Sequence, residues 1–201
     1  MSKIKIFSIL SGYQLTWVMC VFGEILYQSA LPGLISGIIF LLLVLKNSKN
    51  KKRFIYIVLT ISIIGYLFDS ILVNFNIYNF NASLYIGVLP IWMLVLWPSF
   101  ATLFDEVLVF LSNYKFQAVI LSGFLGPLTY YSGSPLGLIT INQNYIFFSF
   151  MIFFWVFLML LYLNILIKKN YLVLISPPCF AFSFSSLSFL FFDLLRAFSR
   201  S

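Results

Sequence analysis

The stretch IIGYLFDSILVNF, residues 63–75, places one carboxylate, Asp69, inside an otherwise apolar segment. The rest of the chain has the same character, since 62% of its 201 residues are hydrophobic and only 8% are charged. An average soluble domain is about one quarter charged. Apolar runs of about 20 residues, the length at which a helix crosses a bilayer, recur along the chain. The composition therefore predicts an all-α fold, a polytopic transmembrane helical bundle.

About six membrane spans are predicted from these runs. They form a bundle over residues 1–170, in which a short turn joins the first two spans into an antiparallel hairpin. Residues 171–201 are a Phe/Ser-rich tail, for which a re-entrant, an interfacial and a spanning arrangement are all open. The predicted spans are residues 6–22, 31–45, 54–73, 84–104, 116–132 and 145–167.

The basic residues cluster at the ends of the predicted spans. They lie at Lys3 and Lys5, within residues 46–53, at Lys115 and at residues 168–169, whereas residues 74–83 carry no charge. With six spans these clusters share one side, which the positive-inside rule assigns to the cytoplasm together with the N-terminus. The net charge of +7 thus reflects topology, so membrane lipids are the expected partners and nucleic acid is not.

The fourth predicted span contains two prolines, Pro90 and Pro98, with Trp92 and Trp97 between them. A proline inside a helix removes a backbone hydrogen bond and kinks the helix. Two kinks are therefore expected, and broken helices often line binding sites in membrane proteins. We expect this helix to continue as far as Ser112.

Asp69 shares one helical face with Ser62 and Gly65, at positions i, i+3 and i+7. Small residues on such a face favour close helix packing, and a carboxylate in a span faces the bundle or water. Counting from the predicted cytoplasmic end places Asp69 in the outer leaflet. Two interpretations are open: a buried Asp that locks helices by hydrogen bonding, or a substrate or proton site.

The other acidic residues give weaker signals. Glu24 lies on a face with Gln14 and Trp17 at a depth similar to that of Asp69, so the two carboxylates either share a proton or Glu24 lies in the headgroup region. Asp105 and Glu106 lie at the opposite end of the bundle and are interpreted as a solvated helix end.

The fifth predicted segment carries a stripe of glycines and one tyrosine at intervals of three and four. This pattern predicts a helix-packing seam, and Gly65 is assigned the same role on the third span. Tyr130 and Tyr131 are interpreted as residues of the outer aromatic belt. The stripe consists of Gly123, Gly126, Tyr130, Gly133 and Gly137.

Several chemistries lack the residues that they need. The chain has no histidine, which excludes Ser-His hydrolysis and His-ligated metals. Cys20 and Cys179 do not have metal-ligand spacing and are interpreted as free thiols. Walker and Rossmann glycine patterns are also absent. We therefore expect neither a metal site nor a cofactor.

The strings YQLTWVMCVFG, LFDSILVNFNIYNF, PIWMLVLWPSFATLF and GFLGPLTYYSGSPLGLITI occur in this order. Together they resemble a family of small bacterial inner-membrane proteins, domain-of-unknown-function family 2878. The matching positions are Gln14, Trp17, Asp69, Ser70, Pro90, Trp92, Trp97, Phe100, Ala101, Thr102, Gly126, Pro127, Tyr130 and Gly133.

This resemblance covers residues 13–141 and implies a helical fold and a location in the bacterial inner membrane, without implying a reaction. The chain departs from the pattern after Thr102. The family has a polar segment with a histidine there, whereas this chain has Asp105 and Glu106.

Three functions are compatible with the sequence. The first is a non-enzymatic protein that handles a lipid or other apolar small molecule in an outer-leaflet cavity lined by Asp69 and the kinked fourth span. The second is a lipid-modifying membrane enzyme that uses Asp69 and Glu24, and the third is a structural subunit that binds a membrane-protein partner through its glycine seams. The candidate ligand-binding residues are Asp69, Gln14, Trp17, Trp92, Trp97, Thr102 and Tyr130.

Overall fold

The structure is a computed structural model, and it describes residues 3–166 apart from the side chains at positions 3, 105, 106, 109, 110, 112, 165 and 166. This part of the chain is mostly helical, which confirms the all-α prediction. The helices are α1 (Lys3–Tyr27), α2 (Leu31–Asn47), α3 (Lys51–Asn74), α4 (Met93–Glu106), α5 (Lys115–Tyr131) and α6 (Asn144–Leu161).

Three of the helical segments are long and apolar enough to cross a membrane: Ile4–Tyr27, Lys51–Asn74 and Asn144–Asn164. Two shorter apolar helices, Leu31–Asn47 and Met93–Phe104, accompany them. Length and composition therefore indicate a helical membrane protein. The number of crossings and the cytoplasmic N-terminus stay predictions.

Local sequence signals set several helix ends. The chain turns between α1 and α2 at Gln28, which has a φ of 47°. The Asn50 side chain accepts a hydrogen bond from the Arg53 backbone N–H at 3.1 Å and so caps the start of α3. After α3, Asn76 takes a φ of 53°, a left-handed conformation that asparagine tolerates better than most residues. These turns limit the helices to the lengths observed.

The predicted fourth span was wrong at its start, and the expected extension of its helix to Ser112 was wrong as well. Strand β2 (Tyr85–Ile86) pairs with β3 (Leu89–Pro90) in a hairpin, and α4 begins only at Met93. Gly87, with a φ of 62°, makes this turn possible, and Pro90 lies in a strand where it kinks no helix. Pro98 is inside α4. Beyond Glu106 the chain continues as a 3₁₀ helix, Leu108–Asn113, and does not extend the α-helix to Ser112.

A second strand pair joins two loops that are distant in sequence. Strand β1 (Tyr78–Phe80), which follows α3, pairs antiparallel with β4 (Ile139–Ile141), which precedes α6. Helix α5 ends at Tyr131, and Gly137 lies in the following turn with a φ of 72°. The predicted glycine stripe therefore extends beyond the helix. This small sheet connects the α3 end of the molecule to the α5–α6 connection.

The helices pack mainly as sequential pairs, α1 on α2, α3 on α4 and α5 on α6, and α4 also packs on α1 and α2. Large aromatic side chains connect the α5–α6 pair to the others. Phe68 of α3 stacks on Phe154 of α6 with ring centroids 3.7 Å apart, and Trp97 of α4 stacks on Trp155 of α6 at 6.1 Å. Because aromatic rings lie between α6 and its neighbours α3 and α4, these helix backbones do not pack closely on each other.

The predicted tail, residues 171–201, lies outside the described residues, and so does Cys179. The side chains of Asp105 and Glu106 are also outside the described set, and their interpretation as a solvated helix end stays a prediction.

Candidate functional site

The Asp69 carboxylate is fully buried at the centre of a hydrogen-bonded group. Its Oδ1 accepts hydrogen bonds from the Tyr78 hydroxyl at 2.6 Å and the Tyr130 hydroxyl at 2.9 Å. Its Oδ2 accepts from Trp97 Nε1 at 2.7 Å and from the same Tyr130 hydroxyl at 3.0 Å. We call Asp69, Tyr78, Trp97 and Tyr130 the Asp69 cluster.

Four separate elements supply this cluster, one residue each: α3, β1, α4 and α5. Gly65 lies one turn before Asp69, and a Cβ at this position would overlap the Trp97 indole ring. The absence of a side chain there lets Trp97 lie flat against α3 and reach the carboxylate. Tyr78 is held by the pairing of β1 with β4. The cluster therefore fixes the positions of four elements relative to one another.

The donors to Asp69 are neutral side chains. Burial is the largest cause that raises the pKa of Tyr78 well above its usual value, and the nearby Asp69 carboxylate adds to it. The phenol therefore stays protonated at neutral pH and remains a donor. The 2.6 Å bond from Tyr78 is the shortest of the contacts to the Asp69 carboxylate.

A partly open cavity of about 100 Å³ lies beside the cluster, and we call it the aromatic cavity. Helices α1, α4, α5 and α6 all contribute to it, and strand β1 contributes Phe80. Its wall includes Trp97 and Tyr130 of the Asp69 cluster. The lining residues are Tyr13, Trp17, Cys20, Val21, Phe80, Trp92, Met93, Leu96, Trp97, Phe100, Thr129, Tyr130, Gly133, Leu138, Ile139 and Trp155.

The exposure of lining residues on α1 and α5 indicates where the aromatic cavity opens. Both helices contribute lining residues, but within residues 3–166 they do not pack extensively on each other. Thr129 on α5 is exposed and Trp17 on α1 is half-buried, although both line the cavity. The cavity thus communicates with the surface of the helix bundle.

The predicted ligand-binding residues divide into three groups. Trp17, Trp92, Trp97 and Tyr130 line the aromatic cavity. Asp69 is not among the lining residues of this cavity and bonds two of them, so its ligand-binding role stays a prediction.

Gln14 and Thr102 are not among the lining residues of the aromatic cavity. Gln14 is half-buried on α1, and Thr102 is buried in α4, where its hydroxyl donates to the Ser99 carbonyl oxygen at 2.8 Å. Tyr130, interpreted from sequence as a belt residue, bonds Asp69 instead, whereas Tyr131 is 46% exposed.

Sequence reasoning missed Tyr78 and Trp155. Tyr78 lies in NFNIYNFN, residues 74–81, which was interpreted as an uncharged loop. The near alternation of asparagine with apolar residues in this stretch is a strand signal that points to β1. Trp155 lies in the uniformly apolar α6, where no sequence signal distinguishes it from its neighbours.

Glu24 is engaged elsewhere. Its Oε2 accepts a hydrogen bond from the Ser83 backbone N–H at 2.9 Å, and its Oε1 accepts from the Ser83 hydroxyl at 3.2 Å. Glu24 is 6% exposed, and these bonds attach the segment before the β2–β3 hairpin to α1. Its partner differs from those of Asp69, so these contacts do not couple the two carboxylates.

The four glycines predicted to pack helices each lie against a side chain of another element. A Cβ on Gly65 would overlap Trp97, and one on Gly126 would overlap Trp155. A Cβ on Gly123 would approach Val156 Cγ2 to 2.9 Å, and one on Gly133 would approach Ile139 Cδ1 to 3.1 Å. These contacts are internal to the chain.

The described part of the chain contains no group of three or more His, Cys, Asp or Glu side chains that could hold a metal ion. Cys20 is a buried free thiol in the cavity wall.

Comparison with known proteins gives a family and no activity. The model of the family described as "Protein of unknown function (DUF2878)" matches residues 6–161, and the chain belongs to this family. No curated protein and no solved structure matches the chain.

Proposed function

We propose that this protein binds a lipid or another apolar small molecule within the bacterial inner membrane and does not modify it chemically. The observation that carries this proposal is the aromatic cavity, two of whose wall residues, Trp97 and Tyr130, are bonded by the buried Asp69. Small-molecule sites are typically concave and apolar, with a few positioned polar groups, and this cavity has that composition.

The size of the cavity limits what it holds. A cavity of roughly 150 Å³ that is lined by apolar residues stays dry and binds benzene. At about 100 Å³ the aromatic cavity takes a chain end or one ring, while the rest of the molecule extends through the opening between α1 and α5. An opening between helices suits a ligand that arrives from the bilayer.

Asp69 acts as a positioning residue in this proposal. Four hydrogen bonds from three donors occupy its two oxygens. A general base needs hydrogen-bond reach to the proton that it removes, and Asp69 lies outside the cavity lining. These contacts favour a binding function over acid–base catalysis.

The test is to purify the protein from membranes in mild detergent, extract it with organic solvent and identify bound compounds by mass spectrometry. Thr129→Trp places a large ring at the cavity opening, and Leu128→Trp places the same ring on the neighbouring exposed position outside the lining. We expect a discrete compound with wild type and Leu128→Trp, and at least a tenfold loss with Thr129→Trp. Equal recovery from both variants would overturn the proposal.

A further inference from the structure

Two side chains that line the aromatic cavity, Trp92 and Trp155, carry unused hydrogen-bond donors. The indole Nε1 atoms of Trp92 and Trp155 are buried and have no hydrogen-bond partner within residues 3–166. The two side chains are only 5% and 8% exposed, and both line the cavity. A third lining tryptophan, Trp97, donates to Asp69. Two lining residues with unpaired donors distinguish this cavity from a simple packing gap.

Unpaired buried donors are costly, since burial removes their hydrogen bonds to water and no protein acceptor replaces them. In place of oxygen acceptors, the two indole rings have aromatic rings as neighbours. The Phe80 ring packs perpendicular to Trp92 with centroids 5.9 Å apart, and the Phe100 ring packs perpendicular to Trp155 at 5.2 Å. An N–H directed at a ring is a second-order interaction that does not replace an oxygen acceptor. A ligand oxygen would remove this cost.

The chemistry of the wall also limits the charge of the ligand. An indole N–H is a donor only, so it pairs with an acceptor and not with an ammonium or a hydroxyl proton. An anion would lie close to the Asp69 carboxylate, from which it is separated only by the side chains of Trp97 and Tyr130. Like charges in a low-dielectric site repel strongly. The favoured acceptor is therefore uncharged.

We infer that the ligand of the aromatic cavity is a neutral, membrane-soluble molecule with an apolar body and a carbonyl-type oxygen, which accepts hydrogen bonds from Trp92 and Trp155. This inference rests on the proposed binding function and adds the chemical class of the ligand. Trp92 directly precedes α4 as its N-cap and Trp155 lies in α6, so one such oxygen would connect the α4 side of the cavity to the α5–α6 pair.

The test uses ¹⁵N-tryptophan-labelled protein in lipid nanodiscs, titrated with 2-undecanone and, separately, with undecane. The chain has four tryptophans, each with one indole N–H resonance, which single Trp→Phe variants assign. Trp97 is the internal control, because its N–H already donates to Asp69. We expect the ketone to move the Trp92 and Trp155 resonances downfield by clearly more than it moves that of Trp97.

The ketone should also bind about tenfold more tightly than undecane, the factor that one ordinary hydrogen bond supplies. Trp92→Phe should reduce this preference several-fold. Equal affinity for the two probes, with the Trp92 and Trp155 resonances unchanged by the ketone, would overturn the inference and leave the binding function intact. If neither probe moves any cavity resonance, both the inference and the proposed function fail.

Discussion

The two buried carboxylates, Asp69 and Glu24, make opposite uses of the same chemical group. Asp69 is fully buried and accepts from side chains of three other elements, whereas Glu24 is 6% exposed and its side chain bonds Ser83 and no other residue within 3–166. Asp69 therefore connects α3 to β1, α4 and α5. Glu24 connects α1 to one loop.

The difference shows that the donors of a buried carboxylate decide whether it connects several elements of the bundle or only one loop. A carboxylate that is taken out of water must be supplied with donors. The donors of Asp69 are tryptophan and tyrosine side chains, two of which also form a cavity wall. The donors of Glu24 are a backbone N–H and a serine hydroxyl at the edge of the bundle. Removing Asp69 should therefore affect the cavity and the whole bundle, and removing Glu24 only one loop.

The largest effect is expected for Asp69→Ala. It leaves three buried donors unpaired, at about 1–3 kcal/mol for each, so we expect a loss of at least about 3 kcal/mol in the free energy of unfolding. Asp69→Asn keeps one acceptor oxygen and should lose less. The measurement is the thermal unfolding midpoint in detergent, read by tryptophan fluorescence. A midpoint for Asp69→Ala equal to that of Glu24→Ala would contradict the comparison.

The next effect is expected for Gly65→Ala. Its new methyl group overlaps the Trp97 ring, and overpacking of this kind costs about 1–3 kcal/mol. The matched control is Gly23→Ala, at the position beside Glu24. A Cβ at position 23 would approach the Ser29 carbonyl oxygen to 2.8 Å. Both variants should be less stable, but only Gly65→Ala should move the Trp97 indole N–H resonance. A shift of that resonance in Gly23→Ala would show that the two regions are coupled.

A smaller, local effect is expected for Glu24→Ala. The variant loses two hydrogen bonds to Ser83, and its free energy of unfolding should fall by about 1–2 kcal/mol. Hydrogen exchange should accelerate in residues 81–90 and stay unchanged in β1. Ser83→Ala retains the backbone bond and should give roughly half of this effect. Faster exchange across β1 in Glu24→Ala would mean that the loop also supports the Asp69 cluster.

The smallest effect is expected for Tyr78→Phe, and it concerns how the free energy of unfolding depends on alkaline pH. Burial raises the folded-state pKa of Tyr78 above its unfolded value of about 10. The stability from this group is therefore complete below about pH 10 and is lost as the pH rises through the folded-state pKa. Tyr78→Phe removes the titrating group, so its free energy of unfolding should fall less steeply above pH 10. Identical pH profiles would show that Tyr78 ionises freely in the folded protein.

Much of the helical fold was predictable because helix-spanning apolar runs are a local property of the sequence. The start of α4 was not, because residues 84–91 are as apolar as a span. What separates them is the left-handed turn at Gly87 and the pairing of Tyr85 with Pro90. Neither feature changes the hydropathy profile.

The candidate site was predictable in part for a similar reason. Asp69 was recognisable because an isolated carboxylate in an apolar helix must face the protein interior. Trp97 and Tyr130 were among the candidates because both belong to the motifs shared with the family. Tyr78 was not, since its position depends on the pairing of β1 with β4 across a long separation in the chain.

The central claim is that the aromatic cavity holds one kind of apolar molecule in the membrane, and in-cell photocrosslinking tests it most directly. The photoreactive amino acid p-benzoylphenylalanine would replace Tyr13, which lines the cavity, or Phe7, which lies on the same helix, is 65% exposed and does not line it. After irradiation, intact-mass analysis of each purified protein identifies the adduct. The account predicts a single discrete adduct at position 13 and the mixture of bulk phospholipids at position 7. The same phospholipid mixture at both positions, or no adduct at position 13, would contradict it.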